Sequence, residues 1–249
     1  MFIKKRYLLA ITLFSAVFVT TSFADLVFIP DITVQTVQGY RSSPPYGWSY
    51  KYDIGFADLE LNVQLRILFV GDDPGATLEQ TWENGIEDMW SRKFDIVDGD
   101  FHYHVNFDAV FFDLSPQDPV HHVVTVTSGQ GGGDMLHWYT TCDWGEAYNG
   151  KFAAHETGHM FSLYDEYTGG AVNPVDPVID YTSIMGDLRG VAYERHYQPF
   201  LDWLEPAADG RLLYLAVYDP DWINPVIPEP AAICLLAFGC LIIMSKRRK

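Results

Sequence analysis

Residues 58–70, DLELNVQLRILFV, set the strictest limit on the fold. Polar and apolar residues alternate and then become continuously apolar, which reads as a central strand. Gly71-Asp72-Asp73-Pro74-Gly75 breaks it. Residues 77–94 then place Leu78, Trp82, Ile86, Met89, Trp90 and Phe94 at three- and four-residue spacing, the apolar face of a helix capped at or before Thr77. Residues 101–112 alternate again, with His102 and His104 on one face beside Asn106 and Asp108. His121 and His122 open another strand, and both histidine pairs read as ordinary polar strand positions. Residues 128–133, SGQGGG, read as a flexible loop without the lysine of a phosphate-binding loop. Residues 135–141 suit an exposed strand, and 212–217 a last one. Strand, helix, several strands, helix is an α+β order.

The two ends read as processing signals. Lys4, Lys5 and Arg6 precede an apolar run from Leu8 to Val19, and Ser22-Phe23-Ala24 offers small residues for cleavage before Asp25, so residues 1–24 are expected to be a signal peptide. At the other end Pro228-Glu229-Pro230 precedes an apolar segment, 231–244, and a basic cluster, Lys246 to Lys249. This order of parts resembles the PEP-CTERM sorting tail, here 223–249. The resemblance implies a Gram-negative bacterium, transient inner-membrane anchoring, and an exosortase that removes the tail once the chain reaches the cell surface.

Of 16 basic and 33 acidic residues, the signal peptide and tail hold Lys4, Lys5, Arg6, Lys246, Arg247, Arg248, Lys249 and Glu229, leaving 9 and 32, a net charge of −23. Such a surface repels nucleic acid, so no nucleic-acid partner is expected. Cys234 and Cys240 lie in the tail, which leaves Cys142 without an intramolecular partner and reads it as a small core residue or, less simply, a thiolate that could block a metal.

Residues 151–167, KFAAHETGHMFSLYDEY, carry the chemistry. His155 and His159, four apart on a helix, can direct both imidazoles at one metal ion. Glu156 stands where a carboxylate can take a proton from a water polarised by that ion. Catalytic zinc takes three protein ligands and keeps an open position, so a third ligand is needed.

H-E-T-G-H-M-F-S-L-Y-D resembles the metzincin signature, H-E-x-x-H-x-x-G-x-x-H/D. The resemblance implies that Asp165 is the third ligand, that the chain turns back after His159, and that Ser162 takes the turn position where glycine is usual. Ser-Ile-Met at 183–185 resembles the methionine turn of that family and makes Met185 the floor of the site. Asp187 stands where several members carry a tyrosine, so a tyrosine for the oxyanion would have to come from elsewhere, with Tyr193 as a candidate. The edge strand that would take substrate is 135–141, and 193–204 would hold the helix after the turn. The D-E-Y that follows is also similar to bacterial IgA-peptidase-like zinc proteins and keeps Glu166 as a rival ligand. Glu194 is the rival in a gluzincin layout.

These readings predict an α+β, metzincin-like fold with a mixed, mostly parallel twisted sheet, an active-site helix and a short C-terminal subdomain. Residues 25–57 would be an N-terminal segment and candidate pro-segment, and 58–222 the zinc metallopeptidase domain. The expected function is an exported Zn2+-dependent endopeptidase acting on protein or peptide substrates. Ca2+ is a further candidate cofactor at Asp98 and Asp100 or in the 168–183 loop. The alternative is a non-catalytic cell-surface or exopolysaccharide-matrix binding protein whose 15% aromatic residues stack on sugars.

Overall fold

A computed structural model describes residues 29–112 and 119–225. The expected signal peptide, and the sorting tail beyond residue 225, lie outside the described residues. The described chain runs β1 (Ile32–Ser43), β2 (Tyr46–Ala57), β3 (Glu60–Gly71), α1 (Ala76–Trp90), β4 (Phe94–Asp98), β5 (Phe101–Phe112), β6 (His122–Gly131), β7 (His137–Cys142), α2 (Asn149–Met160), α3 (Gln198–Leu204) and β8 (Tyr214–Val217). It is a sheet-dominated α+β structure. Among the described residues no helix is long and apolar enough to cross a membrane.

β3 is the axis of the sheet. Leu61, Val63, Leu65, Ile67 and Phe69 alternate along it, and all are buried. β5 runs parallel along one edge from Glu60 to Leu68. The other edge is shared: β2 pairs antiparallel with Glu60 to Gln64, and β6 pairs parallel with Ile67 to Gly71. β1–β2, β2–β3, β4–β5 and β4–β8 are antiparallel, and β3–β5, β3–β6 and β6–β7 parallel, so the sheet is mixed but not mostly parallel. The cause is a set of tight reversals. Asp58 and Leu59, at φ 54° and 64°, close the β2–β3 hairpin in the doubly left-handed turn that matches strand twist. Residues 32–57, expected as a separate segment, thus belong to the same sheet.

Three further boundaries differ from expectation. α1 ends at Trp90 because Arg92 turns left-handed at φ 52° and donates its amide to Val105, so Phe94 opens β4 instead of closing the helix. Its N-cap is Gly75, with no side-chain cap from Thr77. Residues 128–131 continue β6 past a bulge between Thr127 and Gln130, and Gly131 lies against the Tyr139 ring. α1 crosses α2 where Gly85 and Gly150 meet backbone to backbone: a Cβ on Gly85 would stand 2.3 Å from the Gly150 Cα. The Trp90 indole donates to the Ala154 carbonyl at 3.0 Å and pins the same pair of helices.

The histidine pairs do structural work. His102 and His104 turn their Nδ1 atoms to the two oxygens of fully buried Asp95, at 3.2 and 2.8 Å. His121 plugs the point where β2 gives way to β6. Its Nδ1 accepts from the Arg66 amide at 3.0 Å, and Arg66 pairs with Asp53 at 2.7 Å. His122 meets the Lys51 carbonyl through Nε2 at 3.0 Å. Burial pushes His122 down to about 4, and burial with the Arg66 charge does the same to His121.

A histidine with a lowered folded-state pKa binds a proton more readily when unfolded. Stability is therefore retained above the unfolded value and lost as pH falls from about 6.5 towards 4. His122→Gln, which keeps an N–H for Lys51, is expected to lessen that acid loss by on the order of 2 kcal/mol. Urea unfolding at pH 7 and pH 4.5 measures it; equal losses in both proteins would refute the assignment.

Candidate metal centre

α2 is a buried helix: Phe152, Ala153, Ala154, Thr157 and Met160 pack into the core, and His155, Glu156 and His159 line a cleft. Ligand atoms of these last three lie within 4.8 Å of one another, a cluster that could hold a metal ion. The helix stops directly after His159. Ser162 adopts φ 81°, its amide donates to His159 O at 3.0 Å, and Leu163 N reaches back to Gly158 O at 2.9 Å. That is a Schellman closure with serine where glycine is usual, at a strain of roughly 1–2 kcal/mol. No local turn bond from the hydroxyl relieves it; Ser162 Oγ accepts instead from Arg41 Nη2 at 3.3 Å.

The reversal brings Asp165 over the helix. Its Oδ1 lies 3.3 Å from His155 Nε2 and 3.3 Å from His159 Nε2. Both imidazoles are oriented from behind. His155 Nδ1 meets the Ile184 carbonyl at 2.8 Å, and His159 Nδ1 the Leu163 carbonyl at 3.0 Å. A carbonyl only accepts, so each Nδ1 carries the proton, and in the neutral ring Nε2 is a bare lone pair. Asp165 Oδ2 accepts from the Ala171 amide at 2.6 Å, while Oδ1 is buried with no hydrogen-bond donor. Three lone pairs thus face one another, which a cation reconciles. The two separations from Asp165 Oδ1, 3.3 Å each, match neighbouring ligands bonded at ~2.0–2.1 Å around a tetrahedral ion, about 3.3–3.4 Å apart. The residues present fit a divalent ion.

Charge follows this geometry. Burial alone would lower His155, but Asp165 and Glu156 outweigh it and hold the imidazole up to about 9. Burial works to raise Asp165, yet the two histidines hold it well below the usual carboxylate range. Glu156 is pushed up, by burial first. It lines both halves of the cleft, of about 500 and about 370 Å³, which meet at His155, Glu156, Gly133 and Tyr167.

Met185 lies beneath the helix, fully buried, where a Cβ on Gly158 would stand 2.4 Å from its Sδ. Gly158, an unassigned letter of H-E-T-G-H, is thus the gap that admits the methionine. The turn is closed by Ser183, whose Oγ accepts the Met185 amide and whose carbonyl accepts those of Gly186 and Asp187.

Glu166 faces away from the cluster. Arg195 grips it with a two-pronged contact at 2.8 and 2.7 Å, and His196 Nε2 lies 3.2 Å away. Burial would raise Glu166, but Arg195 and His196 bring it to about 2. Glu194 is exposed on a short 3-10 turn, Glu194–Tyr197, and lines neither half of the cleft. Tyr193 is occupied at Thr182, 2.9 Å away; Tyr167 lines both halves of the cleft, with its ring 6.3 Å from that of His155 and its phenol pushed up by burial and the Asp165 charge. Cys142 is buried and hydrogen-bonded to Gly145 O, on the wall of the smaller half-cleft. Of the carboxylates considered for calcium, Asp98 is engaged by Tyr103 and Arg211 and, in the 168–183 loop, Asp180 by Thr182 and Arg195; Asp100 is exposed.

Reasoning on local spacing missed Arg41, Trp48 and Tyr167. The only signal for Tyr167 was the D-E-Y run itself. Metal content after loading and desalting separates the candidate ligands. Asp165→Ala is expected to lose bound metal, with Kd raised at least about a hundredfold, close to 2.7 kcal/mol, whereas Glu194→Ala keeps it. Metal retained by Asp165→Ala would refute the three-atom site.

No family model, curated protein or solved structure matches the chain.

Proposed function

We propose that this protein is an exported zinc-dependent endopeptidase with a metzincin-like catalytic domain. The observation that carries the reading is Glu156: a buried carboxylate beside two imidazoles, on the floor of a cleft, open to both of its halves. A site that only braced the fold would have no use for that group. The left-handed turn at Ser162, the six-residue step from His159 to Asp165, and Met185 under Gly158 support the family reading.

His155, His159 and Asp165 would hold the zinc. When bound, the ion supplies positive charge that acidifies a water and steadies developing negative charge on the substrate carbonyl oxygen. Glu156 accepts a proton from the attacking water and passes it to the leaving amine; its raised pKa suits a group that must both take and give. Tyr167, the phenol on the cleft nearest His155, can donate to the carbonyl oxygen. Among the described strands β7 pairs only with β6, and past the Asp134–His137 bridge its outer edge can take an extended polypeptide. Export and tail removal are part of the proposal and rest on the sequence of the two ends.

A matrix-binding reading draws on the aromatics at the rim, Tyr46, Trp144 and Tyr181, which are about half exposed. It gives Glu156 no role, which separates the two. Glu156→Gln should retain zinc and lose roughly 10²–10⁴-fold in cleavage of an unfolded protein substrate. Zinc-loaded wild type no faster than Glu156→Gln, across varied substrates, would sink the endopeptidase.

A further inference from the structure

We propose that Arg41 and Trp48, on the β1–β2 hairpin, are positioning residues for the metal centre. They hold the left-handed turn at Ser162 that returns Asp165 to the two histidines. The inference rests on the reading of His155, His159 and Asp165 as metal ligands.

The hairpin grips the chain on both sides of Asp165. Before it, Trp48 Nε1–H donates to the His159 carbonyl at 3.0 Å, and its ring meets the His159 imidazole edge-on at 5.3 Å. Arg41 Nε–H donates to Ser162 O at 3.1 Å, and Nη2–H to Ser162 Oγ at 3.3 Å. The guanidinium is itself held between two rings, with Tyr50 at 5.4 Å and Tyr164 at 5.5 Å. After Asp165, the Ser43 hydroxyl donates to Val172 O and the Tyr46 phenol to Gly169 O. These contacts span more than a hundred residues of sequence, so nothing local dictates them.

The position they guard is the strained one. Glycine would take a left-handed turn freely, and serine does not. A charged donor on the Ser162 carbonyl fixes the peptide plane in the orientation the turn needs, and the second donor claims the hydroxyl. One residue on, the Leu163 carbonyl orients the His159 ring, so loosening this turn misplaces a histidine as well as Asp165. The clamp and the serine are therefore a matched pair, and glycine at 162 should make the clamp dispensable.

Zinc affinity of the full-length protein, from competition with a chromophoric chelator, tests this. Arg41→Met is expected to raise the zinc Kd about tenfold, and Ser162→Gly to leave it unchanged or lower it. The double variant should return to within about threefold of wild type. A loss of mere hairpin stability would not be rescued by a glycine on another element. Arg41→Met binding as tightly as wild type, or a double variant as weak as Arg41→Met, overturns the proposal. Should Arg41→Met fail to fold, Arg41→Gln, which keeps a polar tip but loses the charge and the guanidinium fork, takes its place with the same outcomes. Trp48→Phe, which keeps a ring and removes the N–H, should weaken zinc in the same direction, and unchanged affinity removes Trp48 from the proposal. Amide hydrogen exchange on metal-free protein gives the second readout: Ser162 and Leu163 should exchange faster in Arg41→Met and recover in the double variant. If wild type binds no zinc, the metal reading fails, and exchange alone decides for or against the clamp.

Discussion

Two imidazole lone pairs and one carboxylate oxygen are directed at the same point, and the surrounding structure keeps them there. Each of the three has its other polar atom committed elsewhere: His155 Nδ1 to Ile184 O, His159 Nδ1 to Leu163 O, Asp165 Oδ2 to Ala171 N. None can rotate away without stranding a buried partner, which costs about 1–3 kcal/mol per group. The frustration at the centre is thus maintained from outside it. A cation relieves it, and the pull of Asp165 and Glu156 that holds the His155 imidazole up is the same attraction exerted on a proton.

The supporting carbonyls come from two turns with separate origins. Leu163 belongs to the closure of α2, Ile184 to the turn that carries Met185, and a second layer ties the two together. Glu166 donates its amide to Met185 O and accepts the Arg195 fork, while Asp180 N returns to Glu166 O. Adjacent side chains of an extended segment point to opposite sides. Asp165 therefore faces the histidines while Glu166 faces Arg195, and one backbone segment both completes the cluster and locks it to the methionine turn. The rivalry between these two acids, unresolved by spacing, comes down to which way each one faces.

What was legible in the sequence was what local periodicity encodes. Four-residue spacing placed His155 and His159 on one side of a helix, alternation located β3 and β5, and a misfit at Ser162 marked a position that does adopt φ 81°. Strand direction was less legible, because a reversal such as Asp58-Leu59 places an ordinary leucine at positive φ and leaves no glycine to announce it. β1 was missed for a related reason: its side chains are mostly exposed or half-buried, so its letters alternate only weakly. The helical spacing of Trp90 and Phe94 misled because it runs on across a break set by Arg92, a residue with no turn preference.

The N-terminal hairpin joins the sheet, the cleft and the turn at Ser162. Prolines and tyrosines make residues 25–57 look separable from residues 58–222. Yet Tyr52, Ile54 and Phe56 are buried in the core, and Phe161 and Phe200 close on Tyr52. Asp53 anchors Arg66 and His121 at the seam of the sheet, and Tyr46 and Trp48 form one wall of the cleft. Excision would expose the aromatic core, open the seam at Arg66 and leave Ser162 without its clamp. The hairpin is thus built into the same sheet and the same cleft as His155, Glu156 and His159.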